Sequence, residues 1–226
     1  ARLLMIGIEI FQSSLKTLLS LSVFNVDNPR LFVNNELRRR STRIMNLTGT
    51  KPHLILPKNF ALAKGEPYIF MSNHASLLDP PLIYSLMPGT IRFVSKQALF
   101  NVPFFGQALE KAEIVSIEKK DFFGHIKSLM KSGVSIWLFP EGQRSKEGNL
   151  LKFKAGGFSL AREIGAKIIP VAILGTNQLL PAKKLQLKKG VKTEMRIGCP
   201  IDSNTYKKPE QQKDLMQVVR NKISEL

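Results

Sequence analysis

The sequence predicts an α/β domain, a sheet flanked by helices, preceded by a helical segment suited to a membrane interface. Beyond residue 60, short apolar runs alternate with stretches of helical periodicity. The 226 residues are 43% hydrophobic and 23% charged, enough for one globular domain and unlike a disordered or fibrous chain. Residues 3–24 are polar along one helical face and apolar along the other.

The first element is that amphipathic helix. Glu9, Gln12, Ser13, Lys16 and Ser20 share one face, and Leu4, Ile8, Phe11, Leu15, Leu18 and Leu19 share the other. The central charges make it a poor spanning helix, and the pattern fits either a helix in the interface plane or one packed on a soluble core. The chain starts at Ala1 without an initiator Met, which reads as a trimmed or processed start. A basic cluster follows at Arg38, Arg39, Arg40 and Arg43, suited to anionic lipid or simply to a solvated helix face. Strands are expected at Tyr68–Ser72, Ile91–Val94, Ile114–Ile117, Val134–Phe139, Ile168–Leu174 and Thr193–Ile197. Helices fill the gaps at 79–87, 97–109, 121–132, 155–165 and 209–225, the first opened by Asp79 with Pro80 and Pro81. Pro181–Lys192, with four lysines before Gly190, reads as an exposed basic loop.

Charge narrows the partners. Thirty-four Lys and Arg against 17 Asp and Glu give a net +17, a field that attracts nucleic acid, anionic lipid or acidic proteins. Nucleic-acid binding by stacking calls for exposed Tyr and Trp, but the aromatics are 14 Phe, mostly in apolar runs, with 3 Tyr and 1 Trp. The single Cys199 makes no internal disulfide, and His53, His74 and His125 form no metal-ligand spacing.

Two constellations carry chemistry. NHASLLDP, Asn73–Pro80, follows the apolar run YIFMS, so a histidine at a strand end lies five residues before an aspartate at a helix start. A carboxylate bonded to one ring nitrogen fixes the tautomer and leaves the other nitrogen to accept a hydroxyl proton. Asp79 serves equally as a plain helix cap, and Ser76 is a conceivable nucleophile that lacks a GxSxG elbow. FPEGQRS, Phe139–Ser145, follows the strand VSIWLF. Gly142 lets backbone approach a ligand, and Arg144 offers a fork suited to phosphate. Ligands of open α/β sheets bind at carboxyl strand ends, so the two motifs suit one cleft.

These motifs, with IIPVAI (Ile168–Ile173) and FKAGGFSLA (Phe153–Ala161), resemble the glycerolipid acyltransferase family over most of residues 65–175. NHASLLDP is similar to its NHxxxxD block, which implies that His74 is the general base and Asp79 its orienter. FPEGQRS resembles FPEGTRS except at Gln143 and implies acceptor binding by Glu141, Gly142 and Arg144. In IIPVAI, Pro170 matches a proline that helps shape the acyl site. FKAGGFSLA resembles FKKGAFxLA, with Lys154 at a basic position and Ala155 replacing another. EIVSIEK departs from a block that opens on Gly and ends Ile-Asp-Arg: Glu113, Glu118 and Lys119 stand at the Gly, Asp and Arg positions, with Lys120 adjacent. Lys96 stands where the family often has a lysine near the phosphate.

The resemblance implies one acyltransferase domain at 61–226, a mixed sheet flanked by helices, behind a membrane-interface segment at 1–60. The implied reaction moves a fatty acyl group from a thioester to a hydroxyl of lysophosphatidic acid or a related glycerophospholipid, without a covalent enzyme intermediate. Acyl-CoA or an acidic acyl carrier protein is then co-substrate, with no resident cofactor or metal. The expected setting is the cytoplasmic face of an anionic membrane, with no nucleic-acid partner. Another lysophospholipid or an amine as acceptor, or a non-catalytic basic lipid-binding module, are the competing readings.

Overall fold

The computed structural model describes residues 1–226 except 59, 64, 183 and 185. Two long helices, α1 (Arg2–Val23) and α2 (Pro29–Thr48), come first; Asn28 caps α2, Pro29 opens it, and Gly49 ends it at φ 74°. There follow β1 (His53–Ile55), β2 (Ile69–Ser72), α3 (Asp79–Leu86), β3 (Ile91–Ser95), α4 (Gln97–Phe100), α5 (Phe105–Lys111) and β4 (Val115–Ser116). The chain continues through α6 (Phe122–Lys131), β5 (Ser135–Leu138), α7 (Gly156–Ile164), β6 (Lys167–Leu174), α8 (Thr176–Leu179), β7 (Glu194–Ile197), β8 (Ile201–Asp202) and α9 (Gln212–Glu225).

The sheet order is β1-β7-β6-β2-β5-β3-β4, with β8 also on β6. Strands β6, β2, β5, β3 and β4 run parallel, while β7 and β8 are antiparallel to β6, so the sheet is mixed. Alternation sorts the side chains. Phe70, Phe93, Trp137, Ile169 and Val171 face a core shared with α1, α2 and α3, and Ile69, Met71, Ile136, Leu138 and Ile168 face one shared with α6, α7 and α9. Burial on both faces is why the central strands read as unbroken apolar runs. The carboxyl ends of β2, β5, β3 and β4 form one edge, where the functional motifs emerge.

Two sequence expectations change here, and a third falls partly outside the described residues. The helix expected over 97–109 is broken into α4 and α5, because Pro103 lacks an N–H and Phe104 adopts φ 62°. Strands β1 and β8 were not foreseen, and β1 pairs with β7 although it precedes the boundary expected at residue 60. Of the basic loop at 181–192, residues 183 and 185 lie outside the described residues.

The N-terminal pair is packed with its polarity turned inward. Arg40 is buried and donates to Glu36, Glu9 and Gln12 at 2.6–2.8 Å, and Lys16 donates to Glu36 at 3.0 Å. The polar face of α1 is thus a seam against α2, while Leu4, Ile8, Phe11 and Leu19 point outward. Of the arginine cluster, Arg40 is therefore withdrawn from any external surface, and Arg39 is bonded to Glu36. By length and composition alone α1 also qualifies as a membrane-crossing helix.

Candidate active site

His74 stands just beyond β2 and Asp79 opens α3. The turn between them returns the carboxylate to the ring: Asp79 Oδ2 lies 2.7 Å from His74 Nδ1 and accepts the N–H groups of Ala75 at 2.8 Å and Ser76 at 2.9 Å. Those donors precede the helix, so Asp79 orders the turn that carries His74 and does not cap α3. Its carboxyl is fully buried, with Oδ1 lacking a hydrogen-bond partner among the described residues, whereas the His74 side chain is 18% exposed. Asp79 therefore receives Nδ1–H, leaving Nε2 with its lone pair free.

Ser76 is excluded as a nucleophile: it is fully buried, its hydroxyl donates to the Leu180 carbonyl at 2.8 Å, and it accepts the Leu78 N–H. Asn73 fixes the strand end by donating to the Ile173 carbonyl and accepting the Ile173 N–H at 2.7–2.8 Å, which extends the β2–β6 ladder through a side chain.

The second motif turns beside the first. Gly142 N–H donates to the Phe139 carbonyl, and Gly142 sits at φ 66°. A Cβ there would stand 2.9 Å from Lys154 Cε and Nζ, so glycine permits both the turn and the lysine laid across it. Lys154 is anchored by its own N–H to the Pro140 carbonyl at 2.8 Å. The acceptor-binding role implied for Glu141 does not fit its surroundings. The carboxylate is buried, with Oε1 accepting the His74 N–H at 2.8 Å and Oε2 accepting the Leu151 N–H at 2.9 Å. Burial pushes this carboxyl above the ordinary range, although both amide bonds favour its ionised form. Glu141 is thus a brace between the two motifs, reinforced by Ser145 N–H donating to the His74 carbonyl at 2.7 Å.

Phe139 contributes what sequence reading missed. Its ring lies face to face with the His74 imidazole, centroids 4.0 Å apart and planes 18° apart, and rests in turn on Phe93 at 5.7 Å. The one available signal was its place at the end of an apolar strand beside the PEG turn.

The remaining cations are spread along the same edge. Arg144 is half-buried, and neither it nor Lys96, Lys119 or Lys154 has a carboxylate partner among the described residues. Lys96 follows β3 and Lys119 follows β4, two and three strands from β2, or roughly 10 and 14 Å at the usual strand spacing. The structure therefore groups His74, Asp79, Glu141, Gly142 and Lys154 closely and sets Lys96 and Lys119 farther along. Pro170 lies inside β6, where its carbonyl accepts the Gly198 N–H at 2.8 Å. At the departing block, Glu113 has φ 58°, the reason a glycine suits that place, and it is held by Arg30 at 2.8–2.9 Å and Arg92 at 3.4 Å. Among the described residues no cluster of His, Cys, Asp and Glu is grouped to hold a metal.

Comparison with known proteins points the same way. A family model described as Acyltransferase matches residues 54–174. The chloroplastic 1-acyl-sn-glycerol-3-phosphate acyltransferase of Arabidopsis thaliana is 34% identical over 123 residues, 51% of this chain and 34% of that protein. The alpha enzyme of that name from Bos taurus is 28% identical over 149 residues, 63% of this chain and 52% of its own. The matches thus span from a third to about half of these relatives. The crystal structure of the 1-acyl-sn-glycerophosphate acyltransferase PlsC from Thermotoga maritima superposes with TM-score 0.73 at 25% identity, covering 97% of this chain and 87% of that one. With the family model matching more than half of its length, the chain belongs to the acyltransferase family.

Proposed function

We propose that this protein transfers a fatty acyl group from an acyl thioester to a free hydroxyl of lysophosphatidic acid or a close glycerophospholipid relative. The observation that carries the reading is the His74–Asp79 pair at 2.7 Å, set at a strand end beside the Gly142 turn and Lys154. His74 Nε2 takes the proton of the acceptor hydroxyl as its oxygen bonds to the thioester carbonyl carbon. The carbon–sulfur bond then breaks, and the departing thiolate recovers the proton from the imidazolium. Asp79 holds the ring and offsets its positive charge, so its interaction strengthens as the transition state is approached. Arg144 and Lys154 suit the acceptor phosphate, with Lys96 and Lys119 positioned for the phosphates of coenzyme A or acidic side chains of a carrier protein.

The outward apolar residues of α1 and the excess positive charge support attachment to an anionic membrane, at the cytoplasmic leaflet where anionic headgroups are concentrated. A non-catalytic lipid-binding module would leave the buried His74–Asp79 pair and its Glu141 brace without use.

The test is a panel of lysophosphatidic acid, glycerol 3-phosphate, lysophosphatidylcholine and an amine, each offered with acyl-CoA and acyl carrier protein. Thiol release and product lipid are followed together. Ester formation on a phosphate-bearing acceptor is expected, with His74→Ala slower by about 100- to 10,000-fold. A His74→Ala enzyme retaining more than about a tenth of the rate would remove the general base from the mechanism.

A further inference from the structure

Leu77, Leu99, Val102, Phe104 and Ile117 are each 43–57% exposed. They come from three separate segments, following β2, β3 and β4, which the parallel pairing brings to the same edge of the sheet as His74. Scattered single apolar residues on a surface need no explanation, but five on the loops of one edge do.

The corner between α4 and α5 is tightly built. Phe105 N–H donates to the Pro103 carbonyl at 2.6 Å and Gly106 N–H to the Val102 carbonyl at 2.8 Å. A Cβ at Gly106 would overlap the Phe100 carbonyl, so the two helices meet without slack. This packing holds Phe104 at φ 62°, a conformation unfavourable for a bulky residue, and leaves its ring outside.

Lys96, Lys119 and Lys120 flank the corner, all exposed and without carboxylate partners among the described residues, with Glu118 and Asp121 beside the lysines and Glu110 on α5 the exposed acids nearby in sequence. The α5 helix of this corner also packs along α1, whose outward side carries Leu4, Ile8 and Phe11.

We propose that the α4–α5 corner, with Leu77 and Ile117, is a second membrane contact that seats the catalytic edge in an anionic lipid monolayer. It rests on the membrane reading made above. Cationic side chains around an apolar tip match a surface with anionic headgroups over hydrocarbon, and a tip of this size dips no deeper than the interface. A lipid acceptor would then reach His74 sideways from the monolayer without leaving for water.

The test uses the whole chain carrying Phe104→Trp, because Trp137 is fully buried and reports only from the core. Vesicles of phosphatidylcholine and phosphatidylglycerol carrying brominated acyl chains serve as probe. Blue-shifted, bromine-quenched emission from residue 104 is expected. Co-sedimentation without any quenching would overturn the proposal while leaving the attachment of α1 standing, and absence of co-sedimentation would overturn both. A second variant, Leu99→Ser/Val102→Ser/Phe104→Ser, should weaken vesicle partitioning at least tenfold. It should raise KM for a bilayer-embedded acceptor and leave turnover of a short-chain soluble acceptor unchanged. If instead the wild-type chain self-associates in vesicle-free solution and this variant does not, the corner is an interface between two copies and the proposal falls.

Discussion

Replacing Asp79 by Asn separates the chemistry of the pair from its contribution to the fold. Oδ2 gathers three donors, the Ala75 and Ser76 amides and His74 Nδ1, and an asparagine carbonyl oxygen in its place keeps all three. What disappears is the negative charge facing the imidazolium that forms during transfer. Two unit charges about 4 Å apart interact by about 4 kcal/mol at an effective dielectric constant of 20. At 1.36 kcal/mol per factor of ten, the loss amounts to roughly a thousandfold in kcat. Stability should move differently, because Oδ1 is buried with no partner among the described residues and a neutral amide is less costly to bury than a carboxylate. The melting temperature is expected to stay within about 3 °C of wild type or to rise. Steady-state kinetics with saturating acyl thioester, alongside calorimetry, measure both. A variant within tenfold of the wild-type rate, or one that loses both rate and several degrees of stability together, would show that Asp79 only builds the turn.

Arg144→Lys should raise the KM of a phosphate-bearing acceptor several-fold with less effect on the donor, since a bidentate fork becomes a point charge. An unchanged acceptor KM would move phosphate recognition to Lys96, Lys119 or Lys154. Phe139→Leu should lower kcat about 3- to 10-fold with KM nearly constant, because the ring face favours the imidazolium over the neutral base, and Phe139→Tyr should restore it. The His74 Hε1 proton resonance, expected upfield from ring-current shielding, should move downfield in the Leu variant alone. Burial pushes the Glu36 carboxyl up, but hydrogen bonds from Arg39, Arg40 and Lys16 outweigh it and hold the group at about 2 against an ordinary 4.5. Because the folded value is the lower one, its stabilisation is present above about 4.5 and fades as pH falls toward 2. Melting curves of wild type and Glu36→Gln should therefore differ most near neutrality and converge in acid.

The central sheet was legible in sequence because strands buried on both faces are apolar throughout and end in conspicuous polar motifs. Strands β1 and β8 were not, since three and two residues carry no periodicity and their partners, β7 and β6, are set by the fold. The split of α4 from α5 was encoded at Pro103, but the helical spacing on either side masked it. Within the site, the His74–Asp79 pair was readable from residue type and spacing. The roles of Glu141 and Asn73 were not, because their partners are backbone groups at His74, Leu151 and Ile173, which carry the same donors and acceptors whatever the side chain. Glu141 shows the consequence: the family resemblance implied acceptor binding for it, whereas its burial and its two amide partners make it a brace.

The orientation of α1 required the tertiary structure. An amphipathic helix ordinarily turns its apolar side to the protein, and on that rule Leu4, Ile8 and Phe11 would be core. Here Arg40 and Glu36 of α2 sit opposite the polar side instead, and turning α1 by half a turn would take Glu9 and Gln12 away from the buried Arg40, which would keep Glu36 of its own helix. Two of the acceptors that satisfy the buried guanidinium are lost in that rotation, and each buried donor left unsatisfied costs about 1–3 kcal/mol. The polar seam therefore fixes which face of α1 is outward. With that face fixed, the outward apolar side chains are a property of the folded domain and do not wait on a membrane to arrange them.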